Sequence, residues 1–174
     1  LYVSAMSGTG GTFYGVSSVG TGLPIPPPSV TATPLPGMTT SGPSSYDFWF
    51  ADASTLYVAD DRTVALGGGI QKWTLSAGTW GLAYTLSTGL LGSPSGCRGL
   101  SGTFDSLGYP VLYATTAQAQ NNNLVQLTDT GASSAFTVLA SAGTNMAFRG
   151  VALTPEPGTL MLLCLGGVVL LRRR

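Results

Sequence analysis

The sequence predicts an all-β protein: a partial β-propeller of four-stranded antiparallel blades, each of roughly 50 residues, followed by a single C-terminal transmembrane helix. Three observations carry that prediction. Short runs rich in Val, Thr, Tyr, Phe and Trp alternate with Gly, Pro and Asn clusters, and helical periodicity is absent from the body. Two dipeptide markers recur at a nearly constant step. The final stretch is apolar on every face and stops at three arginines.

In order, Leu1 to Met6 reads as a strand, Ser7 to Gly11 as a turn and Thr12 to Val16 as a second strand. Residues 23–43 hold seven of the eleven prolines, including Pro26-Pro27-Pro28. Proline cannot donate to an interior ladder, so this stretch is an extended loop or an edge segment. Four strands follow with tight connections: Tyr46 to Phe50, Thr55 to Ala59, Gly69 to Leu75 and Thr79 to Leu86. The same order then recurs as Arg98 to Gly102, Pro110 to Thr115, Asn123 to Leu127 and Ala135 to Leu139, and Phe148 to Ala152 restarts the cycle.

Leu-Tyr stands at Leu1-Tyr2, Leu56-Tyr57 and Leu112-Tyr113, in steps of 55 and 56 residues. Arg-Gly followed by an apolar residue stands at Arg98 and Arg149, a step of 51. One four-stranded meander cannot bury both its faces, whereas stacked meanders bury each on a neighbour. A β-sandwich also spaces its strands this way but has no reason to repeat them. The chain opens on Leu1 and holds parts of three blades, fewer than the four to eight that close a propeller, so further blades are expected upstream.

Composition narrows the function classes. Charged residues are 8% of the chain and histidine is missing, which removes Ser-His, Cys-His and imidazole-metal chemistry from these 174 residues. Residues 1–154 carry only Arg62, Lys72, Arg98 and Arg149 as cations against six aspartates, so no nucleic-acid partner is expected. Cys97 has no His to activate it, and Cys164 lies in the apolar tail, which makes a disulfide between them implausible.

Asp60-Asp61, with Asp47 and Asp52 near them, is the densest carboxylate group. Its spacing does not follow a calcium-loop pattern, so an acidic turn is preferred over a calcium site and no cofactor is assigned. Gly67-Gly68-Gly69 and Asn121-Asn122-Asn123 occupy corresponding connections, Asn tolerating the positive φ that Gly supplies before it. Arg98 and Arg149 begin a blade's first strand, where they either face a central channel or pair structurally. Trp49, Trp73 and Trp80 suit packing between blades before sugar stacking.

Residues 155–174 form a separate unit from the body at 1–154. Pro155, Glu156 and Pro157 make a polar hinge. The apolar run from Gly158 to Leu171 follows, with Leu160, Met161, Leu162, Leu163, Leu165, Val168, Val169, Leu170 and Leu171 as its anchor, before Arg172, Arg173 and Arg174. Fourteen residues span about 21 Å as a helix, short of the roughly 30 Å hydrocarbon core, and the arginines lengthen the reach by snorkelling. The positive-inside tendency places Arg172 to Arg174 in the cytoplasm and the body across the membrane.

Hinge, apolar helix and terminal arginines in this order resemble the PEP-CTERM sorting signal of Gram-negative bacteria, which a membrane transpeptidase-like enzyme, exosortase, processes. The resemblance covers about twenty residues. It implies transient anchoring in the inner membrane, processing near Pro155-Glu156-Pro157, and release to the cell surface or extracellular matrix, with exopolysaccharide or other surface proteins as candidate partners. The body is therefore read as a non-catalytic binding or structural module. The alternative is an exported propeller enzyme, a lactonase or glycan-active, whose catalytic residues sit in the upstream blades.

Overall fold

The computed structural model describes residues 1–5, 15–22, 31–38, 43–90 and 96–154. Among these residues the protein is β-structure with a single 3-10 turn at Val64–Leu66. Three antiparallel sheets follow one another along the chain. The first holds β1 (Tyr2–Ala5), β2 (Gly15–Val19) and β3 (Ala32–Pro34). The second holds β4 (Ser45–Asp52), β5 (Thr55–Asp60), β6 (Gly69–Ser76) and β7 (Thr79–Leu86). The third holds β8 (Cys97–Phe104), β9 (Pro110–Thr116), β10 (Asn123–Thr128) and β11 (Thr137–Ser141). Every sheet is a simple meander, each strand bonded to its sequence neighbours, and the described residues form no closed propeller.

Burial explains the order of the sheets. In β5 the residues from Leu56 to Asp60 are all buried, so the usual in-out alternation is lost and both faces of the second sheet are covered. Leu56 and Val58 point to one side and join Val16 of the first sheet and Leu35 and Met38 just past its last strand, with Trp73 and Trp80. Tyr57 and Ala59 point to the other and join Leu100, Leu112, Ala114, Val125 and Leu127 of the third. Each such large apolar side chain contributes about 1.5–3 kcal/mol by leaving water. In both Leu-Tyr strands the leucine faces the preceding sheet: Leu56 packs on the first and Leu112 on the second.

Connections follow local backbone chemistry. Ala77 and Gly78, both at positive φ, make the tight two-residue hairpin between β6 and β7. Asn121 adopts a φ of 53° in the connection that corresponds to the one where Gly67 adopts 92°, as the Asn-for-Gly exchange implied. Irregularities recur too. An extra residue bulges β4 at Tyr46 and β7 at Ala83, while β8 bulges at Arg98-Gly99 and β11 at Leu139.

Several expected boundaries shift. The strand expected at 12–16 runs from Gly15 to Val19, and residues 6–14 lie outside the described residues. The last strand of the third sheet begins at Thr137, not Ala135, because Phe136 is buried between sheets and its N–H bonds Thr88 O at 2.8 Å. Within the proline-rich segment, β3 is an edge strand ending at Pro34, as proline's missing donor requires. Pro36 O then accepts the Trp80 N–H at 2.8 Å and ties this edge to the second sheet. Phe148 to Ala152 is no strand: it has no ladder partner among the described residues and lies against the third sheet. The expected C-terminal helix falls at 155–174, outside the described residues, and among the described residues no helix is long and apolar enough to cross a membrane.

Close approach of the second and third sheets is set at Gly102, where a Cβ would sit 2.3 Å from the Trp49 ring. Gly102→Val should therefore cost about 1–3 kcal/mol by overpacking. Gly81→Val, at a site with open space, should change stability little. Urea unfolding midpoints at unchanged slope would check both.

Candidate functional site

The carboxylates singled out in the sequence are all engaged with nearby groups. Asp60 ends β5 fully buried and accepts from Arg62 Nη2 at 2.7 Å, Gln71 Nε2 at 3.0 Å and the Ser44 N–H at 3.2 Å. Gln71 in turn accepts from Trp73 Nε1 at 3.1 Å. Asp61 pairs with Arg98 at 3.1 Å. Asp47 links two sheets, since its Oδ2 accepts the Leu100 N–H of β8 at 2.9 Å. Asp52 holds the β4–β5 turn through the Ser54 N–H and hydroxyl, and those bonds lower its pKa. Among the described residues no group of three or more His, Cys, Asp or Glu side chains is arranged to hold a metal ion.

Arg98 lies over the Tyr46 ring at 5.0 Å in addition to its ion pair, so its contacts are structural. Arg149 is exposed and makes no ion pair among the described residues. The two Arg-Gly segments nevertheless run side by side, because a Cβ on Gly99 would meet the Gly150 Cα at 2.9 Å. Trp73 and Trp80 are 4% and 6% exposed between the first two sheets. Trp49 stacks on Tyr57 with centroids 5.8 Å apart. The three tryptophans thus pack between sheets and share no common surface, Trp49 lying on the side of the third sheet and Trp73 and Trp80 on the side of the first. Cys97 is buried, and burial with the nearby Asp60 charge pushes its thiol pKa up, away from a reactive thiolate.

Sequence reasoning missed the main polar cluster. Asp129, just past β10, has a fully buried side chain and reaches into the second sheet. It accepts from Lys72 Nζ at 2.9 Å, from the Tyr84 hydroxyl at 2.8 Å and from the Tyr57 hydroxyl. Lys72 also donates to the Tyr84 oxygen at 3.0 Å, and the Gly131 N–H closes the other side of the carboxylate at 3.0 Å. Burial alone would raise the pKa of Asp129, but the Tyr57, Lys72 and Tyr84 hydrogen bonds outweigh it and hold it below the usual range. Burial also opposes the charge on Lys72, and the same carboxylate and hydroxyls override it and raise the ammonium pKa. Burial and the Asp129 charge raise Tyr57. Every member is locked in one protonation state near neutrality, so the cluster acts as a clamp between sheets and not as a poised acid or base. The one available signal was Lys72, the only lysine in the sequence.

A cleft of about 470 Å³ opens between the first and second sheets, with Tyr2, Leu35, Phe50, Leu75 and Trp80 as its walls and Asp52 beside them. Its lining is mostly apolar, with the one carboxylate turned to the Ser54 N–H and hydroxyl.

The chain leaves the body at a defined place. Asn122 accepts the Phe148 N–H at 2.7 Å and donates to the Phe148 carbonyl at 2.8 Å, and the Leu153 N–H reaches Ser101 Oγ of β8 at 3.4 Å. Ala152 to Thr154 are then exposed. Residues 153–174 match the PEP-CTERM protein-sorting motif. This PEP-CTERM match supports export to the cell surface and sorting by an exosortase-type enzyme. It begins at Leu153, where the backbone makes its last described contact with the third sheet, so the PEP-CTERM segment starts as the β body ends. No curated protein and no solved structure matches the chain.

Proposed function

We propose that the protein is an exported cell-surface or matrix component whose body is a partial β-propeller acting as a non-catalytic binding or structural module. Its C-terminal segment anchors it transiently in the inner membrane, with Arg172 to Arg174 in the cytoplasm, until an exosortase-type enzyme acts near Pro155-Glu156-Pro157. The carrying observation is the PEP-CTERM motif at 153–174, placed directly after the last backbone contact with the β body.

Support for the propeller reading comes from the correspondence of the second and third sheets. Both are four-stranded meanders. Their Leu-Tyr pairs stand 56 residues apart, and so do their fourth-strand bulges at Ala83 and Leu139. Support for a binding role comes from the engagement of Asp47, Asp60, Asp61 and Asp129 in structural contacts, and from the cleft between the first and second sheets, whose ring faces and carboxylate suit a sugar chain.

Glu156→Gln tests the sorting reading. In a host with exosortase, the variant should accumulate at unprocessed size in the membrane fraction while the parent chain is shortened. A variant of normal mature size on an immunoblot would overturn the assignment.

A further inference from the structure

We infer that the tip of the β8–β9 hairpin, formed by Phe104, Leu107 and Tyr109, rests on the lipid bilayer while the chain is anchored and sets the body's orientation there. The inference rests on the membrane anchor proposed above for residues 155–174.

The tip exposes apolar side chains on a fixed backbone. Leu107 is 80% exposed, Phe104 47% and Tyr109 44%. Asp105 Oδ1 accepts the Leu107 N–H at 2.9 Å and the Tyr109 N–H at 2.8 Å, and Gly108, at a φ of 85°, donates to the Asp105 carbonyl at 3.1 Å. The one carboxylate of the hairpin is thereby turned onto its own loop. The Phe104 ring is backed by Trp49, with centroids 5.5 Å apart. Between Arg98 and Arg149 the sequence has no basic residue, so an anionic partner gains nothing from charge at this tip. Leu with Phe and Tyr instead suits the boundary between headgroups and acyl chains.

The direction in which the chain leaves the body selects the bilayer as occupant. Cys97 pairs with Thr116 and Phe104 with Pro110, so the β9–β10 connection, with Asn122, lies at the end of the third sheet away from the hairpin. Phe148 is held there by Asn122, Gly150 lies against Gly99, and Leu153 reaches Ser101. Residues 148–153 therefore run alongside β8 toward the tip. From Ser101 to Phe104 the strand covers about 10 Å, and the turn carries Leu107 beyond that. From Leu153 to Gly158, where the apolar run begins, the chain reaches at most about 18 Å. The polar layer of a bilayer, about 5–7 Å deep on each side, spans the remaining gap. Leu66 is also exposed, but a Cβ on Gly96 would meet the Asp60 and Arg62 carbonyls, which places the turn that carries Leu66 at the far end, beside Cys97.

The test uses the full chain with Cys164→Ser, inserted into phosphatidylcholine vesicles with detergent and recovered by flotation. One chain carries Ser106→Cys at the tip and another Leu66→Cys at the far end, each labelled with a polarity-sensitive fluorophore; protection of the buried Cys97 shows that both remain folded. At position 106 the emission should move to the blue and fall by about half when a lipid spin label sits near the headgroups, with no change at position 66. Adding Leu107→Asp to the Ser106→Cys chain should return its emission to the value in water while the chain still floats. A floated chain whose position 106 stays in water would overturn the contact and leave the anchor standing. A chain that does not float would overturn the anchor and the inference with it. Quenching at both positions, or at 106 regardless of Leu107→Asp, would overturn the tip as the orienting contact. A blue-shifted position 106 in a body ended at Thr154 without vesicles would assign the tip to a protein partner in place of lipid.

Discussion

A chain ended at Thr154 should leave the membrane fraction and appear as soluble exported body, whereas the full chain stays with the membrane in a host lacking exosortase. The eight Leu and Val residues between Leu160 and Leu171 make the difference. At about 0.5 kcal/mol each on an insertion scale they contribute roughly 4 kcal/mol, near a thousandfold in partition. The body ends in residues that are exposed and bonded through Leu153 to the third sheet, so the cut removes nothing that the described fold packs on. Fractionation and immunoblotting read the outcome. An unchanged membrane share would overturn the anchor, and it would do so independently of Glu156→Gln, which tests processing alone.

Asp129→Ala should be the most damaging single substitution in the body. It strands the Lys72 ammonium, whose side chain is 21% exposed, beside two tyrosine hydroxyls with no carboxylate to receive them. Breaking a buried pair from one side costs about 3–5 kcal/mol, and the partial exposure of Lys72 places this case near the lower end. Lys72→Met in the same chain should recover part of the loss, because the uncompensated charge goes with it. The clamp also sets an acid limit. The folded pKa of Asp129 lies below its unfolded value, so its contribution is complete above the ordinary carboxylate pKa and fades as pH falls through the depressed one. Thermal unfolding should be nearly level from pH 7 to about pH 5 and decline below about pH 4, with a shallower decline in Asp129→Asn. A parallel decline in parent and variant would remove Asp129 from the acid response.

Strand positions were legible because each strand has a local cause. Val, Tyr and Trp runs bounded by Gly, Asn and Asp set β4 to β7 almost to the residue, and Ala77-Gly78 dictates its hairpin by backbone conformation alone. The errors fall where a distant contact wins. Phe136 fits the strand pattern of Ala135 to Leu139, yet the Thr88 carbonyl and the inter-sheet core hold it out of β11. Of the two readings open for Arg98, pairing acquires a partner only in the fold, where Asp61, 37 residues earlier, engages its guanidinium.

By itself the sequence determined the all-β class, the strand order within the second and third meanders and the sorting tail, since periodicity, turn residues and a tripartite terminal motif are local properties. Only the tertiary structure decided which groups meet at a distance along the chain: Asp129 with Lys72, Tyr57 and Tyr84 and Asp47 with the Leu100 N–H across sheets, and Asn122 with the Phe148 backbone against the third. Those partners are separated by as many as 72 residues, and their pairing depends on how two sheets stack. No spacing rule along one chain encodes that distance, because the burial that makes each contact strong exists only once both faces of the second sheet are covered.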